Sequence, residues 1–223
     1  MKTQITPEMK SVAVSTKFMR WAGLAAIVTG FIYLAVQLIH PSDTFGSVTT
    51  ARWSVTHILS IVMDMLALIA LTGIYAKQAH KTGIFGFIGY FLFSLFFALS
   101  LAFHFIEAFV FPVLASEAPK FVEGLQGLVT RQQSAVSLGA IPTVYMIVGI
   151  SYLLGGVLLG TAIFRAAVLP RWAGGLLAIG ALVTMLGAVI PHPIDRIMAV
   201  PVGLALIWLG WALSREDVSR ERE

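Results

Sequence analysis

The stretch VTHILSIVMDMLALIALTGIYA, residues 55–76, decides the fold because it is an apolar run interrupted by a single acidic residue, Asp64. A helix of this length crosses the hydrocarbon core of a bilayer, which requires roughly 20 apolar residues at 1.5 Å of rise per residue. The run does not alternate between apolar and polar residues, as a membrane-spanning β-strand would. It therefore predicts a transmembrane α-helix that carries an ionisable side chain.

The composition of the whole chain agrees with this local pattern. Of the 223 residues, 58% are hydrophobic and only 12% are charged, and the mean hydropathy is +0.88, values that a water-soluble domain of this length rarely has. We predict an all-α polytopic membrane protein, a six-transmembrane-helix bundle that forms one domain over residues 1–214. The predicted spans are 21–39, 55–76, 84–114, 138–164, 172–190 and 197–213. The first span is too long for a signal-peptide core, so we expect it to be retained.

The distribution of lysine and arginine predicts the direction of the chain through the membrane. With the N-terminus inside, the outer segments hold only Arg52, Lys120, Arg131 and Arg196, and the remaining basic residues fall on inner segments. This positive-inside bias predicts a multi-pass cell-membrane protein with both termini in the cytoplasm and a charged cytoplasmic tail at 215–223. The basic pI of 9.6 is then a topology signal, and no nucleic-acid partner is expected.

Several kinds of chemistry are excluded by the residue types present. The chain has no cysteine, which removes disulfides, thiolate metal sites and iron–sulfur ligation. No Gly-rich phosphate-binding loop of either common pattern occurs. The remaining candidates for chemistry are histidines and carboxylates.

Four of the five histidines fall at the predicted outer face. His40 and His192 begin the related stretches HPSD and HPID, and each stands where an apolar run ends, because a residue before proline disfavours the α region. His57 follows the outer start of the second span, and His104 approaches the outer end of the third. The topology therefore gathers these four imidazoles at one side of the membrane.

Two of these histidines share a helix face with a carboxylate. Residues three, four or seven apart lie on one face, which places His57 with Asp64 and His104 with Glu107. An ionisable group inside a span costs at least about 2.5 kcal/mol near the bilayer centre and usually has a partner in the bundle interior. Neither acid has a basic residue within a turn in sequence, so we expect partners on other helices, with the histidines as candidates.

The first functional hypothesis is a membrane-embedded metal-dependent enzyme, hydrolase-like, with a His/carboxylate site that opens to the outer face and takes a lipid-like or apolar substrate. Zinc or another divalent metal is bound by neutral imidazoles and carboxylates. The predicted ligands are His57, His104 and His192, with His40 as an alternate. Asp64 and Glu107 are the predicted catalytic acids, as ligand, orienting group or general base.

Two other classes of function stay open at this stage. A haem b or quinone redox protein can use His57 and His104 as axial ligands, with Arg52, Arg131 and Arg196 pairing with propionates. A small-molecule or ion transporter or sensor would use Asp64 as its intramembrane site, and six short helices would then favour a homo-oligomer. The alternative to a functional role is that each histidine forms an interhelical hydrogen bond that only stabilises the packing of the bundle.

The outer loop at 115–135 carries a further pattern. Phe121, Val122, Leu125 and Leu128 fall on one helical stripe, which predicts a short interfacial helix. This helix would lie over the predicted site, either as a plain connector or as a lid.

The topology can be tested directly, because any cysteine introduced into this chain is the only thiol. We expect a membrane-impermeant maleimide added to intact cells to label Arg131→Cys, on an outer segment, and to leave Lys81→Cys, on an inner one, unlabelled. Both should react after permeabilisation, which serves as the control. Labelling of Lys81→Cys in intact cells would reverse the orientation.

Overall fold

The computed structural model describes residues 7–187, 190 and 194–220, with side chains for 16–185, 190 and 196–215. Within these residues the chain is helical and contains no strand. The helices are α1 Pro7–Ile39, α2 Ala51–Phe105, α3 Phe111–Glu117, α4 Pro119–Thr130, α5 Ile141–Ala166, α6 Arg171–Gly187, α7 Ile194–Ile197 and α8 Val200–Arg220. A 3₁₀ turn at Phe45–Ser47 precedes α2, and a π-helical turn at Ile106–Val110 follows it.

Three helical segments are long and apolar enough to cross a membrane: Thr16–Ile39, Ala51–Glu117 and Ile141–Ala166. Two shorter apolar helices, Arg171–Met185 and Val200–Arg215, accompany them. The all-helical architecture that the sequence predicted is thus confirmed, and the three long apolar helices suggest a membrane protein. The number of spans and their direction remain predictions.

Helix α2 is a hairpin of two helical halves rather than one rod. Gly83 has φ 57° and ψ −156°, a left-handed φ that glycine adopts at little cost. Residues on opposite sides of this bend are in contact. Tyr75 stacks on Tyr90 with ring centroids 4.7 Å apart, and Oδ2 of Asp64 lies 2.7 Å from Nδ1 of His104. The halves 51–82 and 84–105 therefore run antiparallel, and the turn that the sequence predicted between its second and third spans is confined to Gly83.

Most helix ends follow the local sequence. Helix α1 ends at Ile39, immediately before His40 and Pro41, as the HPSD stretch predicted. The side chain of Thr50 accepts a hydrogen bond from the Trp53 N–H at 3.2 Å and caps the start of α2. One difference is that α8 continues to Arg220, so most of the predicted tail at 215–223 extends the last helix.

The helices pack in a closed ring. Helix α1 packs against α2 and α8, α2 against α5, α5 against α6, and α6 against α8. The core between them is apolar and includes Phe93, Phe97, Leu177 and Leu206, all without solvent exposure. At one end of the bundle, polar side chains of the α2 hairpin meet beside the segment that follows α1.

Small residues allow the backbones of this ring to approach closely. A Cβ atom on Gly155 of α5 would lie 2.4 Å from the backbone nitrogen of Phe93, and one on Gly89 would lie 2.3 Å from that of Leu159. On α1 and α8, a Cβ on Gly23 would lie 2.8 Å from the carbonyl oxygen of Gly210. Close backbone packing at small residues is a usual source of helix association in membranes.

A second, smaller apolar cluster covers one end of the bundle. It consists of the buried residues Val48, Trp53, Phe111, Val122, Leu125 and Leu138. Val122 and Leu125 come from α4, and Phe121 and Leu128 pack beside them. A short helix is therefore present within 115–135 as α4, with its apolar stripe against the end of the α2 hairpin, and its position at the membrane interface stays a prediction.

The crossing of α2 and α5 predicts opposite effects for two glycines of the same helix. Gly155→Ala should lower the free energy of unfolding by about 1–3 kcal/mol, since the new methyl group overpacks the contact with Phe93. Gly149→Ala meets no atom within 4 Å and should be neutral or stabilising by up to about 1 kcal/mol through helix propensity. Unfolding of the purified protein by SDS titration measures both, and equal effects would contradict this packing.

Candidate functional site

Three of the predicted histidines meet at the end of the bundle that carries α4. The ring centroid of His57 lies 5.2 Å from that of His40 and 5.9 Å from that of His104. His57 is 2% exposed, while His40 and His104 are partly covered. His192 lies outside the described residues, so its predicted membership of this group stays a prediction.

The buried ring of His57 is held at both nitrogens. Its Nδ1 lies 2.8 Å from the carbonyl oxygen of Trp53, one turn earlier in α2, and because a carbonyl can only accept, Nδ1 carries a hydrogen and donates it. The Trp53 ring covers the imidazole with centroids 4.2 Å apart. Its Nε2 lies 3.3 Å from Oε2 of Glu107. At this distance the two side chains form an ion pair when His57 is protonated.

Asp64 and His104 form the second pair of the site. Nδ1 of His104 lies 2.7 Å from Oδ2 of Asp64, and Asp64 has no solvent exposure. The carboxylate accepts this hydrogen bond and thereby fixes the tautomer of His104, with Nε2 left for another partner. Oδ1 of Asp64 is buried and has no hydrogen-bond partner among the described residues.

The two pairs cross between the halves of the α2 hairpin. Asp64 and His57 come from the first half, and His104 and Glu107 come from the second half and the turn after it. Each carboxylate contacts the histidine of the opposite half, so the sequence-based expectation of interhelical carboxylate–imidazole partners is confirmed. Ser60 and Ser100, buried on the same stripes, lie within this face of the hairpin.

Glu107 is placed by the π-helical turn at Ile106–Val110. Its backbone carbonyl accepts a hydrogen bond from Nε1 of Trp53 at 2.8 Å, which ties the turn to the start of α2. A π-turn inserts one residue into the helical register and is frequent at functional sites. Here the widened turn allows Glu107 to contact His57 while His104, three residues earlier, contacts Asp64.

The rim of the site is charged. Nη2 of Arg196 lies 2.9 Å from Oδ2 of Asp43 and 3.1 Å from Nδ1 of His40. Nδ1 of His40 also lies 2.6 Å from the carbonyl oxygen of Pro41, so it can satisfy only one of these contacts at a time. The Nε–H of Arg52 donates to the carbonyl oxygen of Ile39 at 2.6 Å. Arg196 thus links the segment after α1 to the segment before α8.

An apolar cavity of about 230 Å³ adjoins Glu107. It lies between the second half of α2, α4 and α5, and Glu107 and Tyr145 are the polar residues on its wall. The remaining wall is aliphatic and aromatic, with Phe103, Leu125 and Val129 among its residues. Glu107 therefore contacts the buried histidine network on one side and an apolar chamber on the other.

A separate polar chain lies deeper in the bundle. Tyr152 donates to Oγ1 of Thr184 at 3.0 Å, and Thr184 donates to the carbonyl oxygen of Gly180 at 2.8 Å. Since the Tyr152 proton is engaged, Tyr33 donates to the Tyr152 hydroxyl at 3.2 Å. This chain joins α1, α5 and α6 through buried hydroxyl groups.

Zinc or another divalent metal and haem b both stay predictions for this site. Among the described residues, no group of three or more histidines and carboxylates has a geometry that could hold a metal ion. Nδ1 of His57 donates to the carbonyl oxygen of Trp53, and its Nε2 contacts Oε2 of Glu107 at 3.3 Å. The rings of His57 and His104 have centroids 5.9 Å apart, and neither residue lines the adjoining cavity.

Several residues of the site carry no clear signal in the sequence. Trp53 stands one turn before His57, so the i, i+4 spacing offered a hint of the contact. Tyr145 lies on an apolar helix from a distant part of the chain, and Asp43 and Arg196 meet across 153 residues. Such long-range contacts depend on packing, which periodicity alone does not encode.

Comparisons with protein-family models, with curated proteins and with solved structures gave no match to this chain. Function is therefore inferred from the chemistry of the site itself. The strongest features for that purpose are the crossed carboxylate–imidazole pairs and the cavity that adjoins Glu107.

The Asp64–His104 pair gives a stability prediction. Asp64→Ala should lower the free energy of unfolding by about 1–3 kcal/mol, because the ring N–H of His104 loses its buried acceptor. Asp64→Asn keeps an acceptor oxygen at the same position and should lose less. SDS unfolding curves of the two variants and the wild type measure the difference, and an Asp64→Ala protein as stable as the wild type would contradict the pairing.

Proposed function

We propose that the protein is a membrane-embedded enzyme of the hydrolase type that acts on a lipid-like or apolar substrate at the His/carboxylate site. The observation that carries this proposal is the position of Glu107, whose carboxyl group lies 3.3 Å from Nε2 of His57 and also lines the apolar cavity. An apolar chamber with few polar groups at one end is the usual form of a site for an apolar small molecule.

The cavity sets the substrate class in this proposal. Its wall offers contacts for an aliphatic chain, while Glu107 and Tyr145 supply polar groups for the end of the molecule that reacts. Helix α4 forms one side of the chamber through Leu125, Leu128 and Val129. An acyl ester with a medium-length chain matches this combination of apolar volume and a polar end.

The proposed reaction is addition of water to an ester carbonyl. Glu107 takes a proton from a water molecule, the water oxygen forms a bond to the carbonyl carbon, and the bond to the leaving alcohol oxygen then breaks. The proton passes to that leaving oxygen, so an acid and an alcohol are formed. His57 assists by holding the proton at Nε2 while its Nδ1–H stays bound to Trp53.

The position of the site in the membrane is part of the proposal. We expect six spans, formed by α1, the two halves of α2, α5, α6 and α8, with both termini in the cytoplasm. The supporting observations are the charge bias of the loops and the closed ring of apolar helices. The site then opens near the outer face, where α4 lies along the membrane interface.

The test uses 4-nitrophenyl esters of butyrate, octanoate and laurate with the full-length protein in detergent micelles. Glu107→Gln should lower kcat/KM about 100-fold or more, since a positioned acid or base contributes about 10²–10⁴-fold. The matched control is Glu123→Gln, an exposed acid on α4 that should leave the rate unchanged. No turnover of any ester by the wild type, or full activity of Glu107→Gln, would refute the proposal.

A second variant tests the cavity independently of the acid. Ala102 lines the chamber, and Ala102→Phe should fill part of it and reduce hydrolysis of laurate more than that of butyrate. Elemental analysis of the same preparations measures bound zinc. A stoichiometric metal that is lost in His57→Ala would assign the water activation to that metal instead of Glu107.

A further inference from the structure

A shallow groove of about 480 Å³ lies at the opposite end of the bundle from the histidine cluster. Its wall is formed by the loop 167–170 between α5 and α6, by Arg171, and by Trp211, Ala212 and Arg215 of α8. We call this feature the arginine groove. It shares no residue with the proposed catalytic site.

Two guanidinium groups are fixed beside aromatic rings at this groove. Cζ of Arg171 lies 4.4 Å from the ring centroid of Phe164, and Cζ of Arg215 lies 4.2 Å from that of Trp211. Such cation–π contacts hold the side chains and leave their N–H edges available. Among the described residues, no carboxylate forms an ion pair with either arginine. Arg171 and Arg215 are therefore the charged residues that line the groove.

Exposed tryptophans surround the same end of the bundle. Trp172 is 65% exposed and Trp211 is 49% exposed. Trp21 is 68% exposed and stands at the same level, since its neighbour Gly23 packs against Gly210 and Ser214 of α8. Tryptophan is enriched where membrane meets water. The arginine groove therefore lies at the depth of lipid headgroups.

The start of α6 adds to the positive potential at the groove. The helix begins at Arg171. The N–H groups of Ala173 and Gly174 donate to the carbonyl oxygen of Pro170, so only the first two N–H groups of the helix point beyond it. The positive end of the helix dipole therefore faces the same place as the two guanidinium groups. The loop residues Ala167, Val168 and Leu169 give the groove an apolar floor.

We propose that the arginine groove binds the phosphate of an anionic phospholipid, with Arg171 and Arg215 on the phosphate oxygens and the apolar floor against the lipid's glycerol and upper chains. Guanidinium groups bind phosphate through paired hydrogen bonds. Basic pockets at the cytoplasmic ends of transmembrane helices bind anionic lipid headgroups in this way. The predicted orientation places the groove at the cytoplasmic leaflet, which carries such lipids.

The experiment titrates the purified full-length protein with phosphatidylglycerol, or with phosphatidylcholine of the same chains, and counts bound lipid by native mass spectrometry. We expect saturable binding of phosphatidylglycerol that is stronger than that of phosphatidylcholine. The Arg171→Gln/Arg215→Gln double variant should weaken it about 20-fold, since each basic residue near an anionic lipid contributes about fivefold. Equal binding of the two lipids would overturn the proposal.

The matched control is Arg165→Gln, an exposed arginine at the end of α5 that does not line the groove. It should leave phosphatidylglycerol binding unchanged. If Arg165→Gln weakened binding as much as the double variant does, the binding would depend on general surface charge, and the proposal of a specific groove would be overturned. Should the double variant not fold, Ala212→Glu places a carboxylate in the groove and should weaken binding similarly. Displacement of the lipid by excess inorganic phosphate would show a site for free anions and overturn the lipid assignment.

Discussion

Pairing of buried carboxylates with imidazoles is the interaction on which the functional end of this structure depends. Asp64 and Glu107 lie in an apolar bundle, where an isolated charge is costly, and among the described residues neither acid forms an ion pair with a lysine or arginine. Each acid instead contacts a histidine from the opposite half of the α2 hairpin, at 2.7 Å and 3.3 Å. The same two contacts fix the register between the halves of the hairpin. The residues proposed for chemistry are therefore also residues that hold the two halves together.

The π-helical turn joins this pairing to the cavity. Glu107 belongs to this turn, and the hydrogen bond from Nε1 of Trp53 to its backbone carbonyl ties it to the start of α2. Glu107 thereby reaches His57 and the chamber under α4 together. The proposed activity follows from this local departure from regular geometry.

Hydropathy and spacing predicted the helical membrane architecture, the end of α1 before His40–Pro41, the amphipathic helix α4 and the interhelical partners of the acids. These features depend on local sequence and on the cost of burying charge, both of which a single chain reveals. The bend confined to Gly83, the π-turn, and the contacts of Tyr145 and Arg196 depend on how distant segments pack. Apolar runs of similar composition do not distinguish one neighbour from another, so these features required the structure. His192 lies outside the described residues, and its predicted role is untested.

The hairpin built on Gly83 also bears on how the chain enters a membrane. Both carboxylate–imidazole pairs lie between residues 57 and 107, so all four ionisable groups belong to one contiguous piece of chain. That piece can fold back on itself before α5, α6 and α8 have been synthesised. The two acids of the hairpin are then already paired with their histidines when that piece enters lipid, and neither pair depends on a later helix for its partner. The order of synthesis thus favours early completion of the acid–base core, with the cavity wall on α5 added afterwards.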